Sequence, residues 1–306
     1  MTREEEIAHS LTTTYRKRIW SKFCAAVDTY QLILPGDSIA VCISGGKDSN
    51  LLAVLLRLYK KYRDPKNTFS VHYLVMDPGY SDENGKKVRD NLKVLGIDAR
   101  IVRTNIFEVA NSQTQSPCYL CAKMRRGALY RVAKDMGCNK IALGHHYDDV
   151  IETTLMNLLN AGSFQTMLPK LHSDHYKGME IIRPLYFVRE KDIMDWRDTN
   201  SLSFIRCACR FTEAAAHNEE TSQRLMTKNL IASLSKKNSQ IEKNIFRSAS
   251  NVVLDKVLGY KDSTGSHNYL DTYAEEGEKI DKRIEDEKIK PVIPEDPIVI
   301  EKEEGK

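Results

Sequence analysis

The strongest constraint on the fold of this chain is a strand–turn–helix pattern near its amino-terminal end, with two glycines at the turn. Residues 39–43 are apolar and predict a buried strand, and residues 50–58 have the apolar spacing of a helix. Glycine lets the backbone adopt positive φ and approach a ligand closely. A helix N-terminus offers unpaired N–H groups and a positive dipole end. The pattern therefore predicts a loop that binds phosphate groups.

The loop itself reads Ser-Gly-Gly-Lys-Asp-Ser, and its spacing differs from the Walker type, which requires Gly-x-x-x-x-Gly-Lys-Ser/Thr. Lys47 would supply a mobile positive charge for phosphate oxygens. Asp48 or Ser49 is expected to cap the following helix. A ligand-free turn is the alternative, but the intact hexapeptide between a strand and a helix favours binding. The predicted phosphate contacts are Ser44, Gly45, Gly46, Lys47, Asp48 and Ser49.

Apolar runs and helical patterns alternate along the rest of the first two-thirds of the chain. This alternation predicts an α/β fold, a parallel sheet with helices on both faces, in which ligands bind at the carboxyl ends of the strands. Strands are predicted over 38–43, 69–76, 99–103 and 140–143, with shorter ones at 181–184 and 203–205. Helices are predicted over 6–30, 48–63, 82–95, 119–136, from 148 and over 190–200.

Charge and composition divide the chain into segments. Residues 251–306 hold 9 Lys or Arg against 15 Asp or Glu, and since the whole chain carries +4, residues 1–250 carry about +10. A basic body suits a polyanionic partner such as RNA. The predicted segments are an N-terminal helical segment over 1–35, an α/β domain over 36–211, C-terminal helices over 212–258 and an acidic, weakly ordered tail over 259–306.

One basic patch in the first predicted helix contains Arg16, Lys17, Arg18 and Lys22. It fits either an RNA contact or a solvated helix face. No apolar run reaches the length of a membrane span, and the first residues lack the apolar stretch of a secretory signal. We therefore expect a cytoplasmic protein without a membrane segment.

Seven cysteines in a cytoplasmic chain argue against a disulfide framework. Cys118 and Cys121 open a predicted helix, whose dipole lowers thiol pKa values there, and Cys207 and Cys209 follow much later. Four thiolates would suit structural zinc, and three would suit an iron–sulfur cluster with one open iron. Redox cycling of the first pair is a further possibility, and the cysteine count does not decide among these.

A third polar group follows the predicted strand at 140–143 directly. Gly144 permits a close backbone approach, and His145 and His146 can donate hydrogen bonds to phosphate or to a leaving group. Asp148 and Asp149 can cap the next helix or bind Mg²⁺. With Tyr147 between them, these two histidines and two aspartates make five polar residues at the end of a buried strand, which indicates a functional site.

Together these motifs resemble the tRNA 2-thiocytidine biosynthesis family, a branch of the PP-loop ATPases. The resemblance covers about residues 15–250, and the cysteine helix combined with the Gly-His-His run is specific to this branch. The matching stretches are 42–49, 118–121 with 125–130, and 141–149, with weaker matches at 168–170, 182–185 and 189–193.

The resemblance implies an adenine nucleotide α-hydrolase-like fold and ATP-dependent thiolation of C2 of a cytidine in the tRNA anticodon loop. It implies ATP, Mg²⁺ and a 4Fe–4S cluster held by Cys118, Cys121 and Cys207. The family usually has Pro-Cys-x-x-Cys at the last position, whereas this chain has Arg-Cys-Ala-Cys, so Cys209 remains an alternative third ligand.

By the same resemblance, the catalytic residues are Lys47, Asp48, His145 and Asp149, and Asp77 and Gly144 join the loop in binding the nucleotide. The implied partners are tRNA, a sulfur donor (a cysteine desulfurase or sulfide) and a second copy of the chain. The alternatives are a PP-loop sulfurtransferase acting on another RNA position or a small molecule, and a non-catalytic nucleotide-binding sensor that carries a cluster or zinc.

Overall fold

The computed structural model describes residues 1–111, 117–205 and 223–287. The chain divides into two compact units, Met1–Ala249 and Ser250–Lys306. Among the described helices, none combines the length and the apolar character needed to cross a membrane.

The first unit is built on a six-stranded sheet with the order β3-β2-β1-β4-β6-β5. Its neighbouring strands pair in parallel except β5, which runs antiparallel to β6 at the edge. This confirms the α/β fold, while β5 was not predicted because its three residues, Lys-Leu-His, carry too little apolar pattern. The strands are β1 Ser38–Ile43, β2 Ser70–Asp77, β3 Ala99–Arg103, β4 Lys140–Ala142, β5 Lys170–His172 and β6 Glu180–Ile182.

Helices follow most strands and cover both faces of the sheet. They are α1 Arg3–Thr12, α2 Ser21–Thr29, α3 Lys47–Arg63, α4 Asp82–Val94, α5 Ile106–Asn111, α6 Pro117–Asp135, α7 Tyr147–Asn160, α8 Glu190–Thr199, α9 Gln223–Lys237 and α10 Ile241–Ser248. The central strand β1 shows why both faces must be covered. Ile39, Val41 and Ile43 enter one buried cluster, and Ala40 and Cys42 enter another on the opposite face.

Two of the predicted elements differ in the structure. The single helix expected over 6–30 is interrupted, and a π-helical turn, Arg16–Trp20, joins α1 to α2. The hydroxyls of Thr12 and Thr13 both donate to the carbonyl of His9 (3.1 and 2.8 Å), so they compete with the helical hydrogen bonds at this point. The strand expected at 203–205 is absent from this described stretch, because Phe204 and Ile205 pack into the core instead.

The second unit contains a hairpin, β7 Gly259–Asp262 with β8 Gly265–Asn268, followed by α11 Leu270–Glu287. These elements lie within the segment over 259–306 that is predicted to be an acidic, weakly ordered tail. The turn explains the hairpin, since Asp262 Oδ1 accepts hydrogen bonds from the Thr264 amide (2.7 Å) and hydroxyl (2.6 Å) and Gly265 has a φ of +144°. Residues 288–306, which include the predicted acidic end of the tail, lie outside the described residues.

Candidate active site

The turn between β1 and α3 forms the floor of the candidate site. Gly45 has a φ of +84°, and Gly46 is the N-cap residue of α3 without a side-chain cap. Ser49 Oγ accepts a hydrogen bond from the Ser44 amide (3.1 Å) and donates one to the Gly46 carbonyl (3.1 Å), which closes the loop. The prediction that Asp48 or Ser49 caps the helix is wrong. The uncapped first turn leaves its N–H groups to an anion.

Two glycines allow close packing around this loop. A Cβ at Gly45 would lie 2.6 Å from Ile205 Cδ1, and a Cβ at Gly144 would lie 3.0 Å from the Asp48 carbonyl carbon and the Ser49 nitrogen. Gly144 was predicted to approach a ligand. Its closest approach in the structure is to the first turn of α3, so it sets the distance between the end of β4 and the loop.

The loop, the end of β4 and helix α6 enclose a cavity of about 450 Å³, which we call the loop cavity. It lies at the carboxyl ends of the parallel strands, as the topology requires. The structure therefore brings two of the predicted polar groups together and adds the cysteine-bearing helix. Its polar lining consists of Ser44, Asp48, Ser49, Arg125, Arg126, His145 and Asp149, together with the Gly144 backbone.

The cysteine helix lines the loop cavity through its third and fourth turns, with Arg125, Arg126 and Leu129. Cys121 is half-buried, and Arg125, one turn further along α6, lines the cavity. Residues four apart share a helix face, so Cys121 lies on the cavity side of α6, with Cys118 one turn before it. The described part of the chain contains no group of three or more metal-ligating side chains. The Cys118 side chain and the predicted third ligands, Cys207 and Cys209, lie outside the described residues.

Asp48 lies between the loop cavity and a second cavity of about 340 Å³. Its Oδ2 is 3.2 Å from Lys47 Nζ, and its Oδ1 is 3.8 Å from His146 Nε2. Among the described residues, Asp48 Oδ1 is buried without a hydrogen-bond partner. A buried carboxylate oxygen without a donor is costly, and beside a phosphate loop it suits a divalent cation.

Lys47 faces the second cavity, where residues that sequence reasoning missed surround it. Glu190 at the start of α8 lies 3.1 Å from Lys47 Nζ and 2.5 Å from Lys228 Nζ of α9. Burial alone would raise the pKa of Glu190, but Lys228 and Lys47 outweigh it and lower that pKa to about 2. Arg224 of α9 contacts Asp149 and lies 2.8 Å from Glu152. The helix α9 lies within the C-terminal helices predicted over 212–258, but its contact with the loop was not predicted, because only packing brings these residues together.

The two aspartates after His146 hold helices in place. Asp149 Oδ2 accepts a hydrogen bond from the His146 amide (2.9 Å), and the Asp149 amide donates to His146 Nδ1 (3.4 Å), which completes a capping box for α7. Asp148 accepts hydrogen bonds from the Glu190 amide (2.7 Å) and the Arg189 guanidinium (3.0 Å), and so ties α7 to α8. Of the two, Asp149 lines both cavities.

Asp77, predicted to bind the nucleotide, shapes a turn at the end of β2. Its Oδ1 accepts hydrogen bonds from the amides of Gly79 (2.9 Å) and Tyr80 (2.8 Å). The Tyr80 hydroxyl then donates to the Ser44 carbonyl at 3.0 Å. In the described structure Asp77 therefore acts on the loop through Tyr80, and it lines neither cavity.

His145 is expected to stay neutral from pH 8 down to about pH 5. Burial is the main cause that lowers the pKa of this histidine from 6.5 to about 4; the charges of Arg183, Arg224 and His146 act in the same direction, and Asp149 opposes them. NMR of ¹³C-labelled histidine rings, with His145→Gln to assign the signal, would measure this. A midpoint near 6.5 would contradict the burial argument.

The same shift has a stability consequence with a defined sign. The unfolded chain binds a proton at His145 below its ordinary pKa of 6.5, and the folded chain does so only near 4. His145 therefore does not change the free energy of unfolding above about pH 6.5. It lowers that free energy as the pH falls from 6.5 toward 4.

Comparison with known proteins agrees with this geometry. Residues 16–209 match the PP-loop domain family. A further likeness is to a solved structure, the U34-tRNA thiolase NcsA from Methanococcus maripaludis with its 4Fe–4S cluster. The TM-score is 0.59 at 22% identity, covering 75% of this chain and 76% of that one. That likeness supports the fold.

Similar proteins of known name identify a narrower family within the PP-loop domain proteins. The chain is 34% identical over 251 residues to the tRNA-cytidine(32) 2-sulfurtransferase of Geotalea uraniireducens (strain Rf4), which covers 79% of this chain and 96% of the relative. It is 35% identical over 230 residues to the protein of that name from Pelobacter propionicus, covering 74% of this chain and 82% of the relative. The chain is a PP-loop protein and belongs to the tRNA-cytidine(32) 2-sulfurtransferase family, which confirms the resemblance seen in the sequence.

Proposed function

We propose that this chain is an ATP-dependent tRNA 2-sulfurtransferase, which adenylates the C2 oxygen of an anticodon-loop cytidine and replaces it with sulfur. Position 32, which the name of these relatives specifies, is the proposed target. The observation that carries the proposal is the loop cavity, which is lined jointly by the phosphate loop, His145 and the cysteine-bearing helix α6. This arrangement suits a reaction that joins ATP activation to thiol chemistry.

The loop residues 44–49 would hold the β- and γ-phosphates of ATP through backbone N–H groups at the start of α3. Asp48 Oδ1, buried without a partner among the described residues, would hold Mg²⁺ together with the phosphates. Lys47 is charged, because Asp48 and Glu190 raise its pKa although burial opposes them. Lys47 and the N–H groups would stabilise the charge that develops on pyrophosphate as it leaves.

The proposed reaction balances without net redox. The C2 oxygen of cytidine attacks the α-phosphorus of ATP, the bond to the bridging oxygen breaks, and pyrophosphate departs. Sulfide then attacks C2, and AMP leaves with the original oxygen; sulfur from a cysteine desulfurase arrives as a persulfide and would first need two electrons from a thiol reductant to become sulfide. Neutral His145 would donate a hydrogen bond to the phosphate from inside the cavity, while Asp149 orients His146 and Arg224.

The cysteines of α6 suit a 4Fe–4S cluster. Cys118 and Cys121 are one turn apart at the start of a helix, where thiolates are favoured, and Arg125 would balance an anionic cluster from the next turn. When bound by these two cysteines and by Cys207 or Cys209, such a cluster supplies an iron with an open coordination position for sulfide.

The target base must leave its stack to enter the cavity, which costs least in a single-stranded loop. A cytoplasmic location for the reaction is part of this proposal and is supported by the proposed tRNA substrate. The sulfur donor system and a homodimer, both implied by the resemblance, belong to this proposal as well.

The test combines anaerobically purified protein, unmodified tRNA and Mg-ATP with sulfide as the sulfur source. We expect 2-thiocytidine in the digested tRNA, with one AMP released for each. Thiolation of another base would contradict the proposed substrate. Thiolation without release of AMP would contradict the proposed role of the phosphate loop in adenylation.

A further inference from the structure

A third concave surface of the first unit combines the basic patch noted in the sequence with the start of α8. It is a groove of about 540 Å³, which we call the basic groove. The π-helical turn and α2 form one wall, and the segment leading into α8 together with the first turns of α8 forms the other. Its charged lining consists of Lys17, Arg18, Lys22, Arg189, Lys191, Asp192 and Asp195.

The groove has more positive than negative charge, and the two arginines are already paired. Arg18 lies 3.3 Å from Asp192 and 2.7 Å from Asp195, so it forms ion pairs with both carboxylates of the lining. Arg189 is paired outside the groove, 3.0 Å from Asp148 and 2.7 Å from Glu242.

Three lysines remain, from both walls of the groove. Lys17, Lys22 and Lys191 are exposed, and within the described part of the chain none has a carboxylate within ion-pair distance. Uncompensated charges that converge on one concave surface raise the local concentration of a polyanion. A merely solvated helix face would need neither the concavity nor the contribution from α8.

The basic groove adjoins the candidate active site through α8. Arg189 and Lys191 line the groove, and the residue between them, Glu190, contacts Lys47 Nζ at 3.1 Å in the second cavity. A polyanion bound along the groove would therefore lie beside the phosphate loop. A half-buried aromatic ring, Phe187, is also part of the lining and could support a base or a ribose.

We infer that the basic groove binds the sugar–phosphate backbone of the tRNA substrate, next to the nucleotide that enters the loop cavity. This inference rests on the proposed function for the identity of the RNA. Lysines act as point charges for phosphates, so the groove would position tRNA without reading its sequence. A concave surface with lysines on two walls fits the backbone of a single-stranded or double-stranded RNA segment better than it fits a flat lipid bilayer.

The test neutralises the three lysines together, as Lys17→Ala, Lys22→Ala and Lys191→Ala in one protein. A matched control carries Lys66→Ala, Lys86→Ala and Lys93→Ala, which remove the same charge from exposed positions outside the groove. We expect the groove variant to bind unmodified tRNA about 10- to 100-fold more weakly at low salt, with a salt slope shallower by about three. The control should bind within about two-fold of the wild type, a change expected of charges that make no phosphate contact.

Two further measurements separate this inference from the proposed function. ATP affinity without tRNA should be the same in all three proteins, because none of the exchanged lysines lines either of the other cavities. In thiolation assays the groove variant should show a raised KM for tRNA and a nearly unchanged kcat. If the wild type binds tRNA through the groove but forms no thiocytidine, the groove assignment holds and the proposed function fails.

The groove assignment is overturned by either of two results. One is tRNA affinity in the groove variant equal to that of the wild type. The other is an equal loss of affinity in both triple variants, since binding would then follow net charge rather than the groove.

Discussion

Replacing Cys121 with serine is expected to lower tRNA thiolation by at least about 100-fold while ATP binding is retained, since even outer contacts of a metal site are worth 10- to 100-fold. Cys121 is half-buried one turn before Arg125, which lines the loop cavity, so the exchange would remove a proposed cluster ligand without altering the loop. Cys118→Ser should have the same effect. Thiocytidine per tRNA, iron and sulfide per chain, and ATP affinity by calorimetry would measure it.

The matched control is Cys24→Ser, which exchanges a buried cysteine of α2 outside both cavities. It should retain thiolation and the broad absorption near ~400 nm that an iron–sulfur cluster gives. Normal thiolation by Cys121→Ser would contradict the proposal that the cysteines of α6 bind a cluster needed for the reaction. If the wild type contained stoichiometric zinc and no iron, the cysteines would be assigned to a thiolate zinc site and not to an iron–sulfur cluster.

Lys47→Ala is expected to lower AMP formation by about 100- to 1000-fold, the usual cost of removing one donor to a developing negative charge. Lys47 is the cation of the phosphate loop, and its Nζ is held 3.2 Å from Asp48 and 3.1 Å from Glu190. Glu190 would remain paired with Lys228 in the variant, so the fold should be preserved. Single-turnover release of AMP with unmodified tRNA is the measurement.

Lys61→Ala serves as the control, because Lys61 is exposed near the other end of the same helix. It should form AMP at the wild-type rate, and both variants should keep their iron. Wild-type AMP formation by Lys47→Ala would refute the assignment of the loop to pyrophosphate release. Loss of iron in Lys47→Ala would instead indicate a general structural defect.

Much of the fold follows from local patterns that the sequence displays. The strand Ser38–Ile43 and the helix after it match their predictions closely, because a buried parallel strand and a long apolar helix each leave a strong periodic signal. The three-residue strand Lys170–His172 leaves no such signal, and Ser203 to Ile205 leave a false one. An apolar run of three residues suits a strand and a core contact equally well.

The motifs were visible in the sequence, but the assignment of single residues within them was not. Asp48 and Ser49 were expected to cap α3, whereas Gly46 occupies that position without a side-chain cap. Asp77, which is expected at the nucleotide, also holds the turn that places Tyr80 on the loop, a role that the sequence did not indicate. A carboxylate near a helix start has several possible partners, and only the local backbone path selects one.

The sequence by itself determined the kind of fold and the type of chemistry. Glycine at a strand–helix turn, paired cysteines and a Gly-His-His run each depend on residues that are neighbours along the chain, so their spacing is readable directly. The tertiary structure alone decided that Glu190 bridges Lys47 and Lys228, that Arg224 meets Asp149, and that α6 lines the loop cavity. These contacts join residues far apart in the chain, and only the packing of helices against the sheet fixes such distances.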